Sequence, residues 1–430
     1  MENFIANVPM EHRILTPEDG AQYFFGYYDM RADDGTGRHL CHRVSFADRL
    51  PAATDVAELG YLQDRRFFPF AATTAWNFQQ GAMLEYHPSE KNTVFFNTVK
   101  DGALATAILN FETGAVRYAD RPTACHSPDG RWGLSVHFGR IFDFRPGYGY
   151  AGFPDRNAAV PAPADDGVFL TDLADGTSRM LFSLAELAPI SGFPAGEKLL
   201  VNHITFSPDS DRCLVLLRNF PSGKTPWLTT LMVGDRTGQV RPVLRATYVS
   251  HYYWLSDMEI VAHCTVPALS EKKSMYRLNV LTGAATEYDM PYFGQYPNGD
   301  IHCRLSADGE AIIGDGYEFG GYRRLMEYRI ATGVSRELFA ARSPKPACLD
   351  IRCDLHARPV SGGWVSYDTT ENGRRATCGG GTCGAAFRVS WVHTANVRTK
   401  HRQGHSICPR PDGKNLFPFR YQIPQFFFFF

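Results

Sequence analysis

Four histidines occupy equivalent places ahead of a recurring turn, and imidazoles repeated in this way could converge on one point. His203 stands four residues before Ser207, His251 five before Ser256, His302 four before Ser306 and His356 five before Ser361. Three imidazoles with an open coordination position suit Zn²⁺, Mn²⁺ or a related ion. His251, His302 and His356 are the expected ligands, with Cys353 or Asp354 able to complete the shell. The competing reading has each inward histidine merely bonding a neighbouring backbone carbonyl.

A second group carries proton-transfer and anion-binding side chains: His126, just ahead of Ser127, His203, Arg218, and Tyr148 in the run Arg145-Pro-Gly-Tyr-Gly-Tyr150. Arg218 ends the strongly apolar run Cys213-Leu-Val-Leu-Leu217, where a guanidinium is costly unless it faces a channel or meets a carboxylate. It reads as an anion clamp. His126 is as readily structural as functional, and the Tyr148 loop reads equally as a sugar-stacking surface or a packed connection. Asp29, His42, Arg43, Asn77 and Gln80 lie on aromatic runs and are expensive to bury unpartnered, so they either line a channel or bond between units. No GxxxxGK[ST], GxSxG or HExxH occurs, which leaves phosphate-loop, hydrolase-elbow and zincin chemistry without support.

The elements that must position these groups are set by turns. Asp33-Asp34-Gly35, His87-Pro88-Ser89-Glu90, Ser127-Pro128-Asp129-Gly130, Ser207-Pro208-Asp209-Ser210, Ser256-Asp257, Ser306-Ala307-Asp308-Gly309 and Ser361-Gly362-Gly363 each separate apolar runs and close hairpins. A second series is out of phase with the first: Glu112-Thr113-Gly114, Ala174-Asp175-Gly176, Arg236-Thr237-Gly238, Leu281-Thr282-Gly283 and Ala331-Thr332-Gly333. Two hairpins per unit make four short strands, the composition of a propeller blade. The expected fold is all-β, a seven-bladed β-propeller over residues 1–375, with a β-sandwich as the alternative. Helical periodicity is weak apart from a short turn at Ser183 to Leu187.

Residues 376–430 form an atypical C-terminal tail, nominally completing the last blade. It holds Cys378-Gly-Gly-Gly-Thr-Cys383, a weak candidate metal knuckle, then a His/Arg/Lys-rich stretch and five consecutive phenylalanines, Phe426 to Phe430. Strand alternation does not continue there, as though a frameshift had put the segment out of register.

With 44 basic and 45 acidic residues the chain has net charge −1, which argues against wholesale binding to nucleic acid or an anionic membrane. No run approaches the roughly 20 apolar residues of a membrane span. The first residues show no signal peptide, so a cytoplasmic location is expected, with a periplasmic one if the true N-terminus lies upstream. The ten cysteines are scattered, which favours reduced thiols over a disulfide framework.

Phe25-Gly-Tyr-Tyr-Asp29, Trp76-Asn-Phe-Gln-Gln-Gly81, Arg145-Pro-Gly-Tyr-Gly-Tyr150, Asp300-Ile-His-Cys303 and Arg352-Cys-Asp-Leu-His356 together resemble a bacterial propeller group related to the oligogalacturonate and ulvan lyases. The resemblance covers residues 20–375. It implies a metal held by His251, His302 and His356, with Cys353 or Asp354, and β-elimination on an acidic oligo- or polysaccharide containing uronate. It also implies that His203 and Arg218 act near the uronate, with His126 and Tyr148 as further matches. A non-catalytic carbohydrate-binding or scaffolding propeller is the alternative. A glycoside hydrolase would need a pair of carboxylates, and no persuasive pair stands out.

Overall fold

The computed structural model describes residues 4–5, 11–220, 226–288, 290, 300–346, 348–360, 363–371 and 373–381. They form seven sheets, six of four strands and one of five. In chain order the blades occupy residues 22–73, 85–119, 125–183, 199–247, 249–287, 301–342 and 358–381. The fold is a seven-bladed β-propeller.

Six turns of the first series fall between the innermost and second strands of blades one to six, and Ser361 and Gly362 of the seventh lie outside the described residues. Their chemistry explains why. In blade three the Ser127 hydroxyl accepts the Trp132 N–H at 2.8 Å and donates to Asp129 at 2.5 Å, while Gly130 takes a φ of +76°. Blades four and six repeat the device, with Ser207 accepting from Arg212 at 2.9 Å and Ser306 from Ala311 at 3.0 Å. The serine thus takes up the first N–H of the returning strand, and the left-handed position is filled by Gly130, Ser210 and Gly309. The second series falls between the third and fourth strands of blades two to six.

Central strands lie between neighbouring blades, so both faces are buried and their sequences are continuously apolar. Arg212–Asn219, carrying Leu214 to Leu217, is an example. The core runs as interleaved clusters from one blade to the next.

Two features were not expected. The outermost strand of blade seven is Glu11–Ile14, paired antiparallel with Ala376–Gly381, and residues 22–25 of blade one meet the same blade through Tyr23 N–H to Arg375 O at 3.0 Å. The chain therefore closes its ring with its N-terminal segment. Second, a helix, Phe138–Phe144, follows the second strand of blade three, its first turn capped by His137, whose Nδ1 accepts the Arg140 N–H at 3.0 Å. The short helix expected at Ser183 to Leu187 is present as Leu184–Leu187, capped by Ser183 with Glu186.

The expected boundary at Arg375 falls immediately before the strand Ala376–Gly381, the third strand of blade seven. Cys378 is buried in that strand. Cys383, the basic stretch and the phenylalanine run lie outside the described residues, as does the out-of-register reading for residues past 381. No helix among the described residues is long and apolar enough to cross a membrane.

Candidate functional site

Innermost strands line the channel, and a strand's period of two decides which side chains enter it. His203 lies on Leu199–Phe206, His251 on Val249–Trp254 and His302 on Ile301–Leu305, in adjacent blades. His356 lies just ahead of Arg358–Val360, in blade seven, with a φ of +43°. A branched-ring residue held in the left-handed region marks a constrained position.

Three of the rings converge. The centroids of His251 and His302 are 4.4 Å apart and those of His302 and His356 4.5 Å. Each ring is oriented through Nδ1. Asp300 receives His251 at 3.0 Å, Asp315 receives His302 at 3.3 Å, and the Gly26 carbonyl receives His356 at 2.8 Å. Donating from Nδ1 leaves a lone pair on Nε2, and the buried Nε2 atoms of His302 and His356 have no hydrogen-bond partner. Burial holds both imidazoles well below their usual range, helped by the neighbouring histidine, so both are neutral ligands.

Asp354 completes the group: its Oδ2 lies 3.9 Å from His302 Nε2 and 3.8 Å from His356 Nε2. Burial alone would raise its carboxyl, but the guanidinium groups of Arg323 at 2.6 Å and Arg352 at 2.8 Å hold it well below the carboxylate range. Those are close ion contacts without hydrogen-bond alignment, so both carboxylate oxygens still lack a directed partner. Oriented neutral imidazoles, unpartnered Nε2 atoms and an ionised carboxylate fit a divalent cation.

Cys353 is not part of this group. Its Sγ contacts the Asp354 carbonyl at 3.8 Å, and burial pushes the thiol up to about 12, far from a thiolate at neutral pH.

The second group divides. Arg218 is buried at the edge of the histidine cluster, where its Nη2 reaches the Ser250 carbonyl at 3.4 Å and its Nε has no partner. No carboxylate pairs with it among the described residues. Burial, with Arg145 nearby, lowers it to about 10, still protonated at neutral pH. His203 joins the cluster through Tyr27, whose ring centroid lies 5.4 Å from His203 and 4.9 Å from His356. Its Nε2 bonds Asp29 at 2.8 Å, and its buried Nδ1 has no partner. Tyr148 accepts from Arg352 Nη2 at 2.8 Å, with its ring 6.3 Å from Tyr27.

His126 does not reach this group. Its Nδ1 meets Glu85 at 3.0 Å, its Nε2 meets the Thr123 hydroxyl at 2.9 Å, and its ring stacks on Phe95 at 4.1 Å.

Of the remaining candidates, His42 accepts the Ala82 N–H and Arg43 pairs with Asp19 and Glu58, whereas Asn77 supports residues that clamp the site. Gln79 Nε2 donates to the carbonyls of Asp350 and Arg352 at 3.1 Å and 3.0 Å, and Arg375 donates to those of Ile351 and Arg352. Asn77 accepts the N–H groups of Gln79 and Gln80, so this motif holds the Arg352–His356 segment by hydrogen bonds between blades. Asp300, Asp315, Arg323, Tyr27 and Tyr317 belong to the site and were missed. Asp315 carried a legible signal, a carboxylate near the end of the apolar strand Ala311–Gly316, the same anomaly that singled out Arg218.

No family model matches the chain, and no curated protein matches it. Among solved structures it is similar to the tricorn protease, with 10% identity and a TM-score of 0.46 over 86% of this chain and 34% of that one. It is also similar to TolB from Acinetobacter baumannii, with 15% identity and a TM-score of 0.38 over 77% and 78% of the two chains. The β-propeller domain of the Trilobed protease from Pyrococcus furiosus aligns at 11% identity and a TM-score of 0.44, over 84% and 92%. The chain spans about a third of the tricorn protease it matches. These likenesses concern the propeller fold alone.

Proposed function

We propose that this protein is a lyase that cleaves a uronate-containing oligo- or polysaccharide by β-elimination at the histidine end of the channel. The observation that carries this reading is Arg218, a buried guanidinium without a carboxylate partner among the described residues, beside three imidazoles oriented through Nδ1. A buried cation left without a counter-charge is costly, and a ligand carboxylate would relieve it.

Each step has a residue of this chain. Arg218 offers a planar pair of donors to the uronate carboxylate, and its charge makes the C5 proton more acidic. His203, donating from Nε2 to Asp29, holds a lone pair on Nδ1 that takes the C5 proton. The electron pair of that C–H bond forms the new C4–C5 double bond as the C4–O bond breaks. The Tyr148 hydroxyl, kept in place by Arg352, gives its proton to the departing oxygen. His302, His356 and Asp354, with the His251 ring beside them, would hold a Zn²⁺ or Mn²⁺ ion, which when bound supplies further positive charge at the carboxylate.

Incubation with a panel of uronate oligosaccharides, followed by the ultraviolet absorbance of the unsaturated product, tests the proposal. A rise with a uronate substrate and none with neutral oligosaccharides is expected. No rise on any uronate, with or without added Mn²⁺ or Zn²⁺, overturns it.

A further inference from the structure

The inner strands continue past the histidines to a cavity of about 300 Å³ bordered by Asp29, Glu85, His126, Tyr253, Trp254 and Arg304. Strand geometry fixes its place. His203 and Thr205, and His302 and Arg304, are same-face pairs two residues apart, so the second member of each lies about 7 Å further along the channel, and Tyr253 follows His251 past a bulge in its strand.

Most charged groups around this cavity have a side-chain hydrogen-bond or ion-pair partner. Arg31 pairs with Glu85 at 3.3 Å, Glu85 with His126 at 3.0 Å, and Asp29 with His203 at 2.8 Å. Arg304 is different. Its Nη1 donates to the carbonyls of Tyr28 at 2.9 Å and Met30 at 3.3 Å, its buried Nε has no partner, and no carboxylate pairs with it among the described residues. Its guanidinium lies 5.5 Å from the Tyr253 ring centroid. The Trp254 indole N–H is already spent on Thr205 at 2.9 Å, so that ring offers the cavity only its apolar surface. A metal is a poor occupant because both His126 nitrogens are bonded.

An uncompensated guanidinium against aromatic walls selects a planar monoanion with a flat apolar body. Asp29 and Glu85 border the same space and disfavour a dianion through repulsion. We propose that this end of the channel binds a small aromatic carboxylate, its carboxylate on Arg304 and its ring against Tyr253 and Trp254. The site is separate from the one that would take uronate, and it stands whether or not the protein is a lyase.

The test is a titration of the full chain with 4-fluorobenzoate, followed by its fluorine resonance, with 4-fluorobenzamide as the neutral control. Saturable binding of the benzoate and none of the benzamide is expected. Arg304→Gln should weaken binding about tenfold or more, as loss of a charge-assisted contact does, while Arg117→Gln, on the exposed outer strand of blade two, leaves it within twofold. Should Arg304→Gln fail to fold, Tyr253→Leu reads the same site and should weaken binding severalfold. No binding to the native chain, binding unchanged by Arg304→Gln or Tyr253→Leu, or displacement of the benzoate by stoichiometric inorganic phosphate would each overturn the assignment.

Discussion

At one end of the channel His302 and His356 keep an Nε2 without a partner; at the other, His126 has both ring nitrogens bonded, to Glu85 and Thr123. Both ends also hold an arginine that meets no carboxylate among the described residues, Arg218 at the first and Arg304 at the second. The difference lies in the lone pairs. An unpartnered arginine suffices to bind an anion, but ligating a metal or taking a proton requires a nitrogen that the fold has oriented and then left open. By that criterion the proposed chemistry belongs to the histidine end, and the proposed binding alone to the other.

Substitutions should separate the two ends, and Arg218→Gln has the largest expected effect. It removes the charge facing the uronate and should lower kcat/KM about 10²–10³-fold, measured by initial rates on the best uronate substrate. A loss below tenfold would break the assignment of Arg218 to the reacting end.

Stability offers the next contrast. His42, buried in blade one, accepts the Ala82 N–H on Nε2 at 2.9 Å and stacks on Phe24, and burial lowers it to about 4. Between pH 6.5 and about 4 the folded state binds fewer protons than the unfolded chain. Its contribution is therefore complete above pH 6.5 and is lost as pH falls towards 4, about 3 kcal/mol in all. Denaturant unfolding of the native chain and His42→Gln at pH 7 and pH 5 should show the gap narrowing at the lower pH. A gap independent of pH would contradict this.

Asp315→Asn should sharpen the contrast further. Asp315 orients His302 and accepts the Leu355 N–H at 3.0 Å, so the amide should weaken metal affinity about 10–100-fold while leaving the ligands in place. Competition with a chelator measures it, and unchanged affinity would mean that His302 needs no such support.

The smallest effect is expected at the far end. His126→Gln removes one partner of a buried Glu85 that retains Arg31, a cost of about 1 kcal/mol in stability. Its activity loss should be far smaller than that of Arg218→Gln. An equal loss would put His126 back among the reacting groups.

Much of this was legible in the sequence because turn chemistry is local. The turn serines Ser127, Ser207, Ser256 and Ser306 mark the hairpin between the first two strands of a blade, and the last three also set the phase of His203, His251 and His302. The closing strand Glu11–Ile14 was not legible, since it lies on the outside of its blade, largely exposed, and carries no apolar alternation. Ala376–Gly381 hid for a different reason. Glycines normally weaken a strand, and here pairing on both sides sustains one, with Trp364 and Leu15 packed beside Gly379. His126 misled because proximity to a turn says nothing of what a ring meets across blades. Asp300 and Asp315 escaped notice because their partners, His251 and His302, are fixed by sheet register and blade order.

Metal content tests the difference between the two ends most directly. After incubation with Mn²⁺ or Zn²⁺ and removal of excess ion, the native chain and His126→Gln should each retain one equivalent, and His302→Ala none. No retained metal in the native chain, or equal retention in His302→Ala, would contradict the account.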